Sequence, residues 1–360
     1  MRDGDRDRAA ATGRRRGAEG DAAGGRPTVK MADLARLAGV SVSTVSRALA
    51  GSTLVPAEKR AEILKIARDQ GYVVNEAARN LRLQKTQVIG IAIPLGHEAG
   101  QLISDPFFIE LFGRLADEIT ARNHAVLLNK VVQPGPDWID RLVRSQRFDG
   151  LLVIGQSDQH DALNAIARSY RPLVVWGAHL PSQAYCSVGS DNIGGARAAV
   201  EHLLSTGRRR IAFLGMAEVP EVGLRWEGYV RALTAAGLQP VPDLKAPAHF
   251  TVDTAYVAVR DLIASGAVFD GVFAASDVIA MAAVKALSAA GLRVPEDVAV
   301  VGFDDIGLAA HVNPPLTTVR QDLARGARVM VDLLFRRMEG EDTPSATMPA
   351  ELVVRRSSGA

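Results

Sequence analysis

Polar side chains follow several apolar runs in the last three-quarters of the chain. They come directly after "YCSVGS", "GVFAA" and "VAVVGF", or lie in "RWEGY" and "TTVRQD", and they are Asp191, Ser276, Asp277, Asp304, Asp305, Arg225 and Gln321. Carboxylates, a guanidinium and an amide suit the paired hydroxyls of a polyhydroxylated ligand. Several of these groups could instead cap helices. We expect Asp277 to cap its helix and exclude it from the candidate site.

A second set of polar side chains lies in "GVSVSTVSRALAG", residues 39–51. Apolar residues at helical spacing predict one short helix whose core-facing side carries Val45, Ala48 and Leu49. The rest of its surface carries short hydroxyl side chains and one guanidinium. Such a surface could face solvent on an ordinary helix or lie against a nucleic acid. The residues concerned are Ser41, Val42, Ser43, Thr44, Ser46 and Arg47.

The elements around this helix predict a helix-turn-helix unit. "VKMADLARLAGV" has an apolar helical face and ends at Gly39, Ser41 is a natural N-cap, and "PAEKRAEILKIARDQGY" predicts a third helix from Pro56 to Gly71. In such a unit the second helix enters the major groove with its first turn nearest the bases. Val42 and Ser43 would stand there. The helical pattern alone fits an ordinary three-helix core equally well.

These positions imply specific contacts if the unit binds DNA. Arg47 could reach guanine O6 and N7 or a phosphate. The hydroxyls of Ser41, Thr44 and Ser46 are short enough to let the helix approach and to bond phosphates.

The charge distribution supports a nucleic-acid-binding head. Residues 28–86 hold ten Lys or Arg and five Asp or Glu, while the whole chain of 360 residues has a net charge of +2. The remainder after residue 86 is therefore acidic. A small basic module joined to a larger acidic one favours a polyanion-binding head and a body with another role. We expect residues 1–27, rich in Arg, Asp, Gly and Ala, to be disordered.

The body alternates apolar runs with helical segments. The runs are "VIGIAIP", "AVLLNKV", "GLLVIG", "PLVVWG", "RIAFLG", "GVFAAS" and "VAVVGFDD". Continuous apolar strands alternating with helices predict parallel sheets covered on both faces. A break near residue 190 predicts two α/β halves, with the ligand in the cleft between them.

The head resembles the LacI/GalR family of bacterial transcription regulators. The resemblance rests on "DLARLAGVS", "STVSRAL", "EKR", "GYVVN" and "AARNLR", which occur in the family's order and spacing. It implies that Val42, Ser43 and Arg47 read bases. It also implies that "NEAARNLRLQK" is a hinge helix that orders on operator DNA, with Asn75 and Ala78 matching the pattern and Leu81 as a minor-groove wedge. Without the resemblance, a flexible linker would be the better interpretation.

The body resembles the same family, and more distantly the periplasmic sugar-binding proteins. The matching stretches include "DPFFIEL", "SVGSDNIGGARAAVEHL", "RWEGYVRAL", "VPEDVAVVGFDDI" and "PPLTTVRQD". The resemblance implies that a first set of residues binds effector hydroxyls, and a second set supplies the next candidates for the site. The first set is Arg225, Asp304, Asp191 and Ser276, and the second is Phe250, Phe107 and Gln321.

Some residues leave alternatives open. Phe108 could be a core residue instead of a ligand contact. Trp176, at the end of "PLVVWG", suits a sugar platform and a core position equally. The link "PLGHEAGQLISDPFF" is longer than is usual in the family, so His97, Glu98 and Ser104 could enter the pocket or lie in solvent.

The expected architecture is an all-α helix-turn-helix head joined by a hinge helix to an α/β core of two subdomains with parallel sheets, like a periplasmic binding protein. We expect the boundaries 1–27 for the extension, 28–74 for the head, 75–86 for the hinge, and 87–360 for the effector-binding and dimerisation domain. The chain should cross between the two subdomains of that core.

The expected function is sequence-specific transcriptional regulation, most simply by a repressor whose operator affinity changes with a sugar effector. The expected partners are double-stranded operator DNA, a carbohydrate effector and a second copy of the chain, because two heads must read two half-sites. No heptad run suggests a tetramer. The alternative, a sugar-binding protein of the periplasmic type, is disfavoured by the basic head and by the lack of a signal peptide.

Other classes of protein have little support in the sequence. Nucleophile elbows, HExxH, phosphate-binding glycine loops and metal-spaced His clusters are missing, so we expect no enzyme, cofactor or metal. One cysteine, Cys186, and no long apolar run fit a cytoplasmic, nucleoid-associated protein without membrane contact.

Overall fold

The computed structural model describes residues 29–72, 85–96, 100–156 and 158–359. The chain divides into two compact units, Met1–Arg79 and Asn80–Ala360. The division falls within residues 75–86, the predicted hinge, most of which lies outside the described residues. The domain boundaries stay a prediction.

Three helices form the described part of the first unit: α1 (Met31–Ala38), α2 (Val42–Leu49) and α3 (Ala57–Asp69). Gly39 joins α1 to α2 with φ of 62°, a left-handed conformation that favours glycine. The Ser41 hydroxyl caps α2 by accepting a hydrogen bond from the Thr44 backbone N–H at 3.1 Å. The small core consists of Leu34, Ala35, Ala38, Val45, Ala48, Val55, Ile63 and Ala67. The predicted helices and turn are confirmed.

The second unit contains two six-stranded sheets, each in its own lobe. The first lobe has the strand order β11-β5-β4-β3-β1-β2, with all neighbours parallel. Its elements are β1 (Val88–Leu95), α4 (Pro106–Thr120), β2 (Ala125–Val132), α5 (Trp138–Arg144), β3 (Gly150–Ile154), α6 (His160–Ala167), β4 (Leu173–Trp176), β5 (Cys186–Ser190), α11 (Leu323–Met338) and β11 (Ala346–Met348).

The second lobe has the order β12-β10-β9-β8-β6-β7. All of its neighbours are parallel except the outermost pair, β12 and β10. Its elements are α7 (Asn192–Ser205), β6 (Ile211–Leu214), α8 (Pro220–Ala235), β7 (Lys245–Ala246), α9 (Val252–Ala264), β8 (Gly271–Ala274), α10 (Asp277–Ala289), β9 (Ala299–Asp304), β10 (Thr317–Arg320) and β12 (Glu351–Val353), with 3-10 turns at Pro242–Leu244, Gly307–Ala310 and Arg356–Ser358.

The chain crosses between the lobes three times. It leaves the first lobe after β5, returns with α11, and crosses again between β11 and β12. Helix α11 belongs to the first lobe because Ala327, Met330 and Leu334 pack in one cluster with Ile89 and Ile91 of β1. The predicted α/β halves and the break near residue 190 are confirmed.

No helix among the described residues is both long and apolar enough to span a membrane. In the same part of the chain, no group of three or more His, Cys, Asp or Glu could hold a metal ion.

Candidate functional site

The exposed surface of α2 carries the polar residues that the sequence singled out. Ser41, Ser43 and Arg47 are exposed, Thr44 and Ser46 are half-buried, and Val42 keeps 44% of its surface accessible although it is apolar. Val45 and Ala48 are buried on the opposite side. This division of the helix matches the predicted one.

Three hydroxyls gather at the N-terminus of α2. The Ser41 hydroxyl lies 2.8 Å from the hydroxyls of both Ser43 and Thr44. Helix N-termini attract anions because their first N–H groups and the helix dipole present positive charge. Within the described residues the Arg47 guanidinium has no hydrogen-bond or ion-pair partner. One turn of α2 therefore offers hydroxyl groups and a free cation on the same helix.

The second candidate site is a cleft in the second unit, with an empty volume of about 780 Å³. Side chains from both lobes line it. The first lobe supplies Pro94, Gln101, Asp105, Phe107, Phe108, Ile154, Gly155, Trp176, Gly177, Gly189 and Ser190; the second supplies Asn192, Val219, Glu221, Arg225, Phe250, Ser276, Val278, Asp304 and Gln321. The mixture of apolar walls and a few polar groups is typical of a small-molecule site.

A buried ion pair lies in the second-lobe wall of the cleft. Arg225 on α8 and Asp304 at the end of β9 keep 6% and 7% of their side-chain surfaces accessible, with Nη1 and Oδ1 3.8 Å apart. Nε of Arg225 donates to Oδ1 of Asn192 at 2.8 Å, Nη1 donates to the Ala275 carbonyl, and the guanidinium carbon lies 3.8 Å from the centre of the Phe303 ring. These contacts hold the guanidinium in one orientation.

Burial changes the protonation of this pair. It raises the pKa of Asp304 from 3.8 to about 7, against the opposing effects of Arg225 and of Gln321. It also lowers the pKa of Arg225, which Asp304 and Glu221 counteract. Burial and pairing therefore shift the pKa of each group in opposite directions.

The backbone at Asp304 is held in an unusual conformation. Asp304 and Asp305 have φ of 120° and 54°, in the region that favours glycine. Asp305 pairs with Arg320 at 2.7 Å and with Arg355 at 2.6 Å, and Gln321 Nε2 donates to Asp304 Oδ1 at 2.7 Å. These contacts hold the turn that directs Asp304 to the cleft.

Seven of the eight predicted effector residues line the cleft: Arg225, Asp304, Ser276, Phe250, Phe107, Gln321 and Trp176. Trp176 both lines the cleft and packs in the first-lobe core, where its ring would collide with a Cβ at Gly326. Phe108 likewise lines the cleft and packs in that core.

Asp191 does not line the cleft. It is exposed and caps α7, accepting a hydrogen bond from the Gly194 N–H at 2.8 Å. The residues on either side of it, Ser190 and Asn192, line the cleft instead.

The expectation that Asp277 caps α10 is wrong. Ser276 is the cap, accepting from the Ile279 N–H at 3.2 Å. The buried Asp277 carboxylate instead accepts from the Ile306 N–H at 2.9 Å and from the Thr318 hydroxyl at 2.5 Å. It therefore joins α10 to the segments around β9 and β10.

The remaining predicted residues lie elsewhere. Ser104 is exposed and does not line the cleft. His97, Glu98 and the hinge residues Asn75, Ala78 and Leu81 lie outside the described residues, as do residues 1–27.

The sequence missed four acidic or amide residues of the cleft: Gln101, Asp105, Asn192 and Glu221. Asp105 caps α4 by accepting from the Phe107 N–H at 2.9 Å, and Gln101 Nε2 donates to it at 3.2 Å. Burial raises the pKa of Asp105 and of Glu221. Their positions could have indicated them, because both acids lie at the start of a helix that follows a strand of a parallel sheet, where ligands bind in such folds.

Two polar atoms in the cleft are buried without a hydrogen-bond partner among the described residues. They are Oε1 of Gln101 and the hydroxyl of Ser190. An unpaired buried polar atom costs about 1–3 kcal/mol. Both atoms are thus available for hydrogen bonds with a ligand.

Comparison with known proteins follows the same division of the chain. Residues 30–75 match the bacterial regulatory proteins of the lacI family, and residues 200–358 match the periplasmic binding protein-like domain. The chain is 34% identical over 342 residues to the HTH-type transcriptional regulator CelR of Thermobifida fusca, covering 92% of this chain and 98% of the relative.

Two further comparisons agree. The HTH-type transcriptional repressor CytR of Escherichia coli (strain K12) is 33% identical over 338 residues, covering 92% of this chain and 96% of CytR. The solved structure of a CelR–cellobiose complex superimposes with a TM-score of 0.68 and 32% identity, covering 91% of this chain and 99% of that one.

Proposed function

Because this chain belongs to the LacI family and is a DNA-binding transcriptional regulator, we propose that it is a repressor whose operator affinity is set by a sugar or sugar-like effector in the cleft. The CelR structure, a complex with cellobiose, supports a carbohydrate as the ligand class. The relatives are transcriptional regulators, and the proposal accordingly includes no catalysis or cofactor. It places the protein in the cytoplasm, at operator sites on the nucleoid.

The observation that carries the proposal is the set of polar side chains that line the cleft. A buried Arg225–Asp304 pair stands among aromatic side chains, and the Gln101 and Ser190 oxygens lack partners. Neighbouring hydroxyls of a sugar can bond a carboxylate and a guanidinium together, and its apolar face packs on rings. A purely apolar ligand would leave those oxygens unpaired.

The proposed DNA contacts lie on α2. Val42, Ser43 and Arg47 are assigned to base edges, with Val42 suited to a thymine methyl group. Ser41, Thr44 and Ser46 are assigned to phosphates. The hinge of residues 75–86, with Asn75, Ala78 and Leu81, is assigned to the minor groove, and a homodimer presents two such heads to two half-sites.

The two sites communicate through closure of the lobes. A ligand that bonds both lobes favours a closed cleft, and closure alters the spacing of the paired hinges and so the affinity for operator. Couplings of this kind amount to about 1–3 kcal/mol. Release of DNA by the effector is the direction proposed.

The test measures operator affinity with and without sugars. The operator is first selected from random duplexes with the full-length protein, and the affinity is then measured by fluorescence anisotropy with mono- and disaccharides added. We expect at least one sugar to weaken operator binding by about fivefold or more. Tighter binding in the presence of every active sugar contradicts induction, and no effect of any sugar contradicts the effector proposal.

Two variants link the response to the cleft. Arg225→Ala is expected to keep operator binding but lose the sugar response. Ser190→Ala provides a milder change, because the Ser190 hydroxyl is buried without a partner among the described residues. It should weaken sugar binding without lowering the unfolding temperature. Ser104→Ala, on an exposed residue outside the cleft, is the matched control. A normal sugar response in both cleft variants would show that this pocket is the wrong one.

A further inference from the structure

The charged residues that line the described part of the cleft are unbalanced. Asp105, Glu221 and Asp304 supply three carboxyl groups, whereas Arg225 supplies one guanidinium, and no Lys or His is among the described lining residues. In their ionised forms these acids outnumber the single guanidinium and give the cleft a negative potential, which its low-dielectric walls strengthen. This potential disfavours ligands that carry a negative charge of their own.

Arg225 already has an acidic partner within the protein. Two of its nitrogens already donate to Asn192 and Ala275, and Asp304 lies 3.8 Å from one of them. An anion would have to compete with a buried carboxylate for the same guanidinium. Breaking a buried ion pair is costly because the charge left behind lacks a partner.

Glu221 lies at the N-terminus of α8, a position that would otherwise favour binding of an anion. It lies in the first turn of α8, which begins at Pro220. The N-cap residue, Val219, has no side-chain hydrogen bond to the helix. Both Val219 and Glu221 line the cleft. The Glu221 carboxyl group is the acidic side chain of that first turn. The N–H groups and dipole of a helix start attract anions, and here the protein's own carboxylate takes that position.

The unpaired acceptor in the first lobe points to the same ligand class. Oε1 of Gln101 can only accept a hydrogen bond, and it is buried with no partner among the described residues. Rotating the Gln101 amide by 180° would exchange Oε1 and Nε2, and the hydrogen bond that Nε2 donates to Asp105 would be lost. A sugar hydroxyl supplies the missing donor, whereas ionised phosphate and carboxylate oxygens supply none.

We propose that the cleft selects uncharged polyhydroxylated ligands over their phosphorylated or carboxylated counterparts, and that Glu221 is the specificity-determining residue. This inference rests on the proposed function and narrows its effector class. It assigns Glu221 two roles: it repels a ligand anion and occupies the helix start that would bind one.

The test compares matched pairs of probes. Cellobiose, maltose, glucose and ribose are set against glucose 6-phosphate, ribose 5-phosphate and glucuronate, with binding measured by thermal shift and then by calorimetry on the full-length protein. In the wild type each anion should bind at least about tenfold more weakly than the neutral sugar it derives from, because glucuronate adds one negative charge and each phosphate about −1.5 to −2 near uncompensated acids.

Two variants separate the role of Glu221 from general charge effects. Glu221→Gln should reduce the preference for neutral ligands by about tenfold. Glu218→Gln removes the same charge from an exposed residue three positions earlier that does not line the cleft, and should leave the preference unchanged. The wild-type comparison decides the class of ligand even if the Glu221 variant fails to fold.

The outcomes distinguish this inference from the proposed function. An anionic probe that binds more tightly than its neutral parent overturns the selectivity while leaving a sugar-responsive regulator in place. An unchanged preference in folded Glu221→Gln overturns the role of that residue. Binding of no probe at all contradicts the proposed function itself.

Discussion

Gly228 allows two helices of the second lobe to approach closely, and its replacement by alanine tests how the cleft is built. Gly228 lies on α8, one turn after Arg225. A Cβ at this position would overlap with the Ile193 carbonyl oxygen and would lie 2.8 Å from the Ala196 Cβ and 3.1 Å from the Arg197 nitrogen, all on α7. The same contact brings Arg225 within hydrogen-bond distance of the first residue of α7.

The cost of Gly228→Ala follows from these distances. Restoring normal contacts of 3.4 Å or more requires α7 and α8 to separate by roughly 0.5–1 Å. Overpacking of this kind costs about 1–3 kcal/mol, and the better helix propensity of alanine returns about 0.5–1 kcal/mol. The net loss is about 1 kcal/mol, which lowers the unfolding temperature of a unit of this size by roughly 2–4 °C.

The same separation affects the ligand site. The bond between Arg225 Nε and Asn192 Oδ1 is 2.8 Å long, so a shift of this size stretches it beyond good hydrogen-bond geometry. A hydrogen bond to a charged group contributes about 1.5–3 kcal/mol. We therefore expect the affinity for sugar to fall by about tenfold, through a residue that touches no ligand.

Differential scanning calorimetry and sugar titration measure both effects. Gly113→Ala is the matched control: Gly113 lies within helix α4, and nothing stands within 4 Å of a Cβ placed there. That change should raise the unfolding temperature slightly and leave the affinity unchanged. If Gly228→Ala has the stability and affinity of the wild type, close packing of α7 on α8 does not position Arg225.

Three further predictions concern the head and the acid of the cleft. Arg47→Ala should lower the preference for operator over random DNA by about 1–3 kcal/mol in a competition assay, and it should leave the affinity for sugar unchanged. Arg36→Ala, on α1, is the control. If Arg47→Ala keeps the wild-type preference for operator, α2 does not have the proposed role. Ser41→Ala should lower the free energy of unfolding of the head by about 1 kcal/mol in urea, whereas Ser43→Ala, which removes no cap, should change it by less than about 0.5 kcal/mol; equal losses would contradict the capping assignment. The pKa of Asp304 rises from 3.8 to about 7 on folding, so the folded state binds more protons than the unfolded state between these values, and Asp304 makes the protein less stable as pH rises from about 4 to 7. The unfolding temperature should therefore fall less over this pH range in Asp304→Asn than in the wild type. An identical pH profile for the two proteins would show that Asp304 does not titrate in this range.

The sequence predicted those features that depend on local pattern. Buried parallel strands are continuous apolar runs, and each of the seven runs became a strand of one of the two sheets. The helices of the head followed from apolar spacing, the left-handed turn at Gly39 and the Ser41 cap. Helix starts and core faces repeat within a few residues, so a sequence window contains the information needed to place them.

The sequence pattern does not predict which of the side chains that follow a strand faces the cleft. At the end of β5, Asp191 turns to cap a helix while its neighbours Ser190 and Asn192 line the cleft. At the end of β9, Asp304 lines the cleft through a backbone with φ of 120° that distant arginines help to hold. Successive residues in a turn point in different directions, and which one faces the ligand depends on contacts with segments far away in the chain.

The division of the cleft between the lobes determines which contacts can carry a signal. Arg225 and Asp304 both belong to the second lobe, so a ligand bound to them alone would have the same affinity for an open and a closed cleft. A ligand with equal affinity for two states shifts no equilibrium, however tightly it binds. In the proposed regulator, a ligand held by that pair would also bond Gln101 and Asp105 on the first lobe only when the lobes close around it. In the proposed regulator the second-lobe pair therefore supplies affinity, and the first-lobe acceptors convert that affinity into a change at the DNA.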